Sequence, residues 1–227
     1  MGFSFHCIRV GIDNCFLLQG EKTVLIDGGA PGSFQSFVQG LQRLGVDPRQ
    51  ISLIVLTHGH WDHIGSLSAI QKLTGAPVAV HRGDQGWVES GTPSFPDGVT
   101  AYGKAMIGLA RLLIHPHLPS VKVGRVIDDA GFSLAEYGIP GKVIHTPGHS
   151  MGSVSIVLES GEAFVGDSAM NDWFLRLTPG LPVLADDIKL VVESWKKLFG
   201  EKIQTVYPAH GKPFPIEVMR REVENFQ

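Results

Sequence analysis

Apolar residues fall in short, regular bursts along this chain, and their spacing predicts most of its elements. Phe5–Val10, Cys15–Gln19 and Thr23–Ile26 are brief β-rich runs parted by Gly-Ile-Asp-Asn and Gly-Glu-Lys turn signals. Ile51–Leu56 is apolar throughout, as in a strand buried on both faces. Further strands are expected at Val78–Val80, Lys142–His145, Val154–Leu158, Ala163–Val165 and Ile203–Tyr207. Helical spacing puts Phe34, Phe37, Val38, Leu41 and Leu44 on one face of a helix that Ser33 would cap. Other helices are predicted over Ile64–Leu73, Asp186–Phe199 and Ile216–Phe226. Residues 82–125 interrupt the pattern: Gly and Pro are frequent, and one apolar helix, Ala105–Ile114, ends at His115-Pro116-His117-Leu118-Pro119. This stretch reads as a substrate-side insertion. No repeat, low-complexity tract or linker appears, so 1–227 is taken as a single domain. Strands alternate with helices in two similar halves, which predicts an α/β fold of two packed sheets with helices outside, a four-layer αββα sandwich.

Composition narrows the function classes. Of 227 residues, 43% are hydrophobic and 18% charged, enough apolar material for a buried core and too much for a disordered chain. Net charge is −3, from 19 basic and 22 acidic groups, so there is no basic footprint for nucleic acid or an anionic membrane. No apolar run approaches the ~18 residues of a membrane span, and the first residues lack a secretory pattern. Cys7 and Cys15 are too few for a disulfide framework and are expected as reduced thiols. Together these features predict a cytoplasmic protein with no nucleic-acid or membrane partner.

The chemistry concentrates in Thr57-His58-Gly59-His60-Trp61-Asp62-His63-Ile64-Gly65, directly after the buried strand. Residues two apart in extended chain point the same way, so His58 and His60 can present imidazoles to one point. Asp62 and His63 follow as the chain turns into a helix and can face a neighbouring point. Such a nitrogen and oxygen cluster suits Zn²⁺ or another borderline first-row cation. Three more candidates also follow strands: His149 in Thr-Pro-Gly-His-Ser, Asp167 in Val-Gly-Asp-Ser and His210 in Pro-Ala-His-Gly. A lone histidine is more often structural, and it is the shared placement at strand ends that raises these three together.

With Asp27 in Leu-Ile-Asp-Gly-Gly, these motifs resemble, in order, the five motifs of the metallo-β-lactamase superfamily, its glyoxalase II-like branch included. The resemblance implies that His58, His60 and His149 hold one ion and Asp62, His63 and His210 a second, with Asp167 bridging them. It implies two divalent cations, zinc first, with iron or manganese as alternatives. Asp27 is then an outer carboxylate orienting the ligand loop, or a turn-forming residue before two glycines. The implied activity is a metal-dependent hydrolase, with a metal-bridging hydroxide attacking a small ester, thioester or lactone. Two dications about 3.5–4 Å apart acidify a bridging water. Asp62 would orient that nucleophile or move its proton.

Departures from the family's branches matter for substrate. Only 17 residues follow His210, too few for the helical domain with which glyoxalase II-type enzymes grip glutathione. Met170 stands where acyl-homoserine lactonases resembling this chain carry Tyr. The alternatives are a mono-iron persulfide dioxygenase and a non-catalytic metal-bearing binding module. Met170 and Trp173, close after Asp167, are the leading candidates to line a substrate pocket. Trp87, Phe95, Tyr102, Met106, Met151 and Phe174 are read more as core packing than as pocket. His6, His81, His115, His117 and His145 are assigned to surface loops. Ala105–Ile114 is core or a contact with a second copy of the chain, so a small-molecule substrate and a homodimer are the expected partners.

Overall fold

Period-two alternation decides which side of each strand is buried against what. In the computed structural model, which describes residues 2–113 and 117–226, β1 (Ser4–Val10), β2 (Asp13–Gln19), β3 (Thr23–Ile26), β4 (Ile51–Val55), β5 (Val78–His81) and β6 (Val123–Ile127) form one sheet in that order. The β1–β2–β3 meander is antiparallel and β3 to β6 run parallel. A second six-stranded sheet orders β12 (Phe214–Pro215), β11 (Thr205–Pro208), β10 (Glu162–Gly166), β9 (Val154–Leu158), β8 (Gly141–His145) and β7 (Phe132–Ser133), with only β10 and β11 parallel.

Along β2, Phe16 and Leu18 face the second sheet, while Cys15 and Leu17 face helices. The same split separates Leu53 and Val55 from Ile54 on β4. Phe16, Val24, Ile26, Val143, Ile156 and Phe164 therefore make the layer between the sheets. Outside the first sheet lie α1 (Phe34–Leu44) and α3 (Leu67–Thr74), burying Phe37, Leu41, Leu67 and Ile70. Outside the second lie α6 (Ile188–Leu198) and α7 (Ile216–Asn225), whose Trp195, Leu198, Ile216 and Met219 cover Val157, Val165 and Val206. Each fully buried large side chain contributes roughly 1.5–3 kcal/mol. Asp187 starts α6 by accepting from the Lys189 and Leu190 N–H groups at 2.9 and 3.0 Å. This is the αββα sandwich that the pattern predicts.

Some local expectations are corrected. Ser33 occupies the cap position of α1, but its hydroxyl donates to the Val10 carbonyl at 3.4 Å instead of capping the helix. Segment 82–125 holds two helices, α4 (Gln85–Ser90) and α5 (Ala101–Leu113), and ends inside β6; before it, the helix expected over Ile64–Leu73 is split into the short α2 (Trp61–Ile64) and α3. The six-residue α4 is too short to show a period. Strand β6 was masked by Gly124 and Arg125 on its half-open edge. Ile8, next to Cys7, pairs with Cys15 across β1 and β2, so the two thiols point to opposite faces and stay free. His81 is buried, not on a surface loop: its ring stacks on His145 at 3.9 Å and bonds Asp129 at 3.1 Å. His117 is exposed, and His115 lies outside the described residues. Among the described residues, no helix is long and apolar enough to cross a membrane.

Candidate metal centre

All the histidine and aspartate candidates sit where strands end on one edge of the sandwich. β4 runs into His58, the turn after β8 carries His149, β10 ends at Asp167 and β11 leads to His210. The structure brings His58, His60 and His149 into one group of potential ligands, and Asp62, His63, Asp167 and His210 into an adjoining one, within 4.8 Å inside each group. Asp167 lies between them. Its Oδ2 is 3.6 Å from His149 Nε2, 4.0 Å from His58 Nε2 and 3.4 Å from His210 Nε2, and its Oδ1 is 3.5 Å from His63 Nε2. Asp62 Oδ2 is 3.5 Å from His210 Nε2.

The outer nitrogens decide how these rings are used. His63 Nδ1 donates to Asp27 Oδ2 at 3.1 Å. Thr57 gives its hydroxyl proton to the same carboxylate at 2.8 Å, so its oxygen accepts from His58 Nδ1 at 3.1 Å. His149 Nδ1 donates to the Leu184 carbonyl at 2.9 Å, and His210 Nδ1 faces the Ile12 carbonyl at 3.4 Å. In each neutral ring the proton is therefore on Nδ1 and the Nε2 lone pair points inward, as a metal ligand requires. His60 presents Nδ1, 3.0 Å from His149 Nε2. His58 Nε2, His63 Nε2 and Asp167 Oδ1 are buried without a hydrogen-bond partner, an expensive arrangement that bound cations would relieve. The donor set thus fits two divalent ions.

Electrostatics separates the groups. Burial, with neighbouring imidazoles adding to it, holds His58 well below its ordinary value and His60 at about 3. Burial also lowers His149, against the pull of Asp167. For His63 and His210, burial is outweighed by Asp167 and the other nearby carboxylates, which hold both rings well above the usual range. Asp62 and Asp167 are depressed despite burial, chiefly through His210 and His63.

Asp27 combines the two readings offered for it. It is the non-glycine residue with positive φ among the described residues, at 63°, and its carboxylate also accepts from the Thr57 N–H at 2.8 Å. The turn aims that carboxylate at both ends of the ligand loop, at Thr57 and at His63. Asp84 was not anticipated. It is fully buried and accepts from Gly59 N–H at 2.8 Å, Ser150 Oγ at 2.7 Å and Gly152 N–H at 2.9 Å, so it ties the loop of His58 and His60 to that of His149. The only sequence signal was an acid inside a glycine-rich stretch.

A cavity of about 150 Å³ opens onto both groups. Met170 lines it. Trp173 does not: its side chain is 82% exposed and rests on Phe174. The walls come instead from Ile12, Trp61, Leu175 and Leu184, from Phe95 and Pro96, and from Met106, Ile107 and Ala110 on α5. Phe95 and Met106 are thus pocket residues, while Trp87 stacks on His60 and Tyr102 and Met151 are exposed. A further grouping able to hold a cation, His81, Asp129 and His145, has an exposed carboxylate, unlike the buried donor groups. Gly83 N–H donates to His81 Nδ1 at 3.2 Å, so His81 Nε2 carries the proton it shares with Asp129.

Comparisons with known proteins identify the family. A probable metallo-hydrolase of Methanocaldococcus jannaschii is 28% identical over 204 residues, covering 88% of this chain and 87% of its own length. A metallo-beta-lactamase fold-containing protein of Sulfurisphaera tokodaii is 30% identical over 223 residues, covering 94% and 78%. The crystal structure of the BLEG-1 B3 metallo-beta-lactamase superposes with a TM-score of 0.73 at 24% identity, covering 96% of this chain and 97% of that one, a likeness of fold. Residues 8–210 match the family description itself, and the chain belongs to the metallo-beta-lactamase superfamily.

Proposed function

We propose that this chain is a dinuclear metal-dependent hydrolase of small esters, thioesters or lactones whose non-reacting part is apolar and uncharged. The observation that carries this reading is the pair of adjoining buried donor groups meeting at Asp167, with His58 Nε2, His63 Nε2 and Asp167 Oδ1 lacking protein partners. His58, His60 and His149 would hold one ion, zinc being the first choice for such donors, and Asp62, His63 and His210 the other, with Asp167 shared. The chemistry supplied by two such ions is acidification of a captured water and polarisation of the carbonyl under attack. The names of similar proteins, probable metallo-hydrolases, support the same class.

The chain's own residues supply the rest. Asp62 is 17% exposed at the cavity, against 4% for Asp167, so it is the carboxylate placed to take a proton from the attacking water. Asp27 and Asp84 keep the ligand loops in register. Apart from the donor groups, the described cavity lining is apolar and carries no Lys or Arg to pair with an anionic substrate. Dialysis against a chelator should abolish turnover of a neutral ester, and zinc, manganese or iron should restore it. No turnover across a panel of esters, thioesters, lactones and phosphodiesters, with both ions present, would leave a non-catalytic metal-bearing module.

A further inference from the structure

The tip of the β1–β2 hairpin is pressed against the loop that carries His210. Asn14 brackets that loop: its N–H donates to the Ala209 carbonyl at 2.8 Å, and its Nδ2 donates to the Pro208 and Gly211 carbonyls at 3.2 and 2.9 Å. Asp13 forms an isolated antiparallel bridge with His210 itself. It is 2% exposed, and Oδ2 accepts from the Ala30 N–H at 3.1 Å. Oδ1 is buried without a hydrogen-bond partner and stands 3.4 Å from His210 Nδ1, the distance at which that nitrogen also faces the Ile12 carbonyl. A carboxylate kept out of water with one oxygen unsatisfied costs stability unless something else requires it there. Asp27 holds the corresponding nitrogen of His63 by a 3.1 Å hydrogen bond.

We propose that Asp13 and Asn14 are positioning residues for His210: Asn14 fixes the loop, and the Asp13 carboxylate, beside the Ile12 carbonyl that faces Nδ1, keeps the proton on Nδ1 by its charge and so leaves the Nε2 lone pair for the second ion. The two donor groups then each depend on a carboxylate outside the ligand set, Asp27 through His58 and His63, and Asp13 through His210 alone. This rests on the reading that Asp62, His63, Asp167 and His210 bind an ion, and the test separates the two claims.

Metal-stripped protein is titrated with Zn²⁺ against a chromophoric chelator for the natural chain, Asp13→Asn and Asp13→Ala, with folding followed by circular dichroism. The natural chain binds two ions. Asp13→Ala weakens the second by about 10–100-fold and leaves the first unchanged, as loss of an outer partner does. Asp13→Asn, which keeps an acceptor oxygen, falls between and covers the case in which the alanine variant does not fold. In zinc-loaded protein the His210 Nδ1 proton resonance shifts in the variants while that of His63, on Asp27, stays. A purely structural role would weaken both ions alike and move both resonances. Two ions bound with unchanged second affinity in both variants overturn the role of Asp13 alone. A natural chain that binds one ion or none overturns the two-ion reading and this inference with it.

Discussion

Asp62 and Asp84 are both half-hidden among glycines and histidines in the sequence, yet their surroundings give them opposite tasks. Asp62 reaches the cavity and makes no backbone hydrogen bond that the ligand loops depend on. Asp62→Asn is expected to lower kcat by about 10²–10⁴-fold, the range for a positioned proton acceptor, with the melting temperature within a few degrees of the parent. An unchanged kcat would place the proton acceptor elsewhere. Both oxygens of Asp84 accept hydrogen bonds, so an amide would set an N–H against a donor whichever way it turned. Asp84→Asn should cost roughly 1–3 kcal/mol in denaturant unfolding. The histidine-rich run was legible because its donors are neighbours in sequence and its period places them. Asp84 and Asp13 were not, because the groups they serve lie 68 and 197 residues away along the chain.

Among the elements, β10 shows how a strand end becomes a site. Its pairing with β11 shifts register between Phe164 and Gly166, and Gly166 turns at φ 54° to deliver Asp167. A Cβ there would come within 2.5 Å of Thr57 Oγ1, the hydroxyl that links Asp27 to His58. Gly166→Ala should therefore destabilise by roughly 1–3 kcal/mol and lower metal affinity together, read by thermal melts and zinc titration. Helix α5 is where sequence reading and structure part most. Its apolar residues were assigned to core or a dimer contact, and Met106, Ile107 and Ala110 prove to wall the cavity while Leu109, Leu112 and Leu113 are exposed. A helix apolar on both sides has no period that says which side meets the site. Ala110→Trp should narrow the cavity and shift kcat/KM toward the shorter of two acyl substrates by about tenfold or more, with metal content unchanged. Equal losses for both substrates would place the acyl group elsewhere.

Over the whole molecule, the strands and four layers were readable because burial on both faces and period-two alternation are written directly into the apolar pattern. Segment 82–125 was not, since short helices and a half-open edge strand take their form from what they cover. The same layering gives the two donor groups unequal proton affinities. Burial disfavours the charged forms of His58, His60 and His149, whereas Asp167 and its neighbours favour protons on His63 and His210. A cation must displace those protons, so uptake by the second group should strengthen with rising pH, about tenfold per unit for each proton released. Uptake by the first should stay flat around neutrality. Zinc titrations in buffers of different ionisation enthalpy would count the protons, and equal pH slopes for the two ions would contradict this assignment.

Native mass spectrometry of zinc-loaded protein tests the central claim most directly. The natural chain should carry two ions, His63→Ala one, and the His60→Ala, His63→Ala double variant none. A natural chain that carries one ion or none, or a double variant that still retains two, would contradict the account.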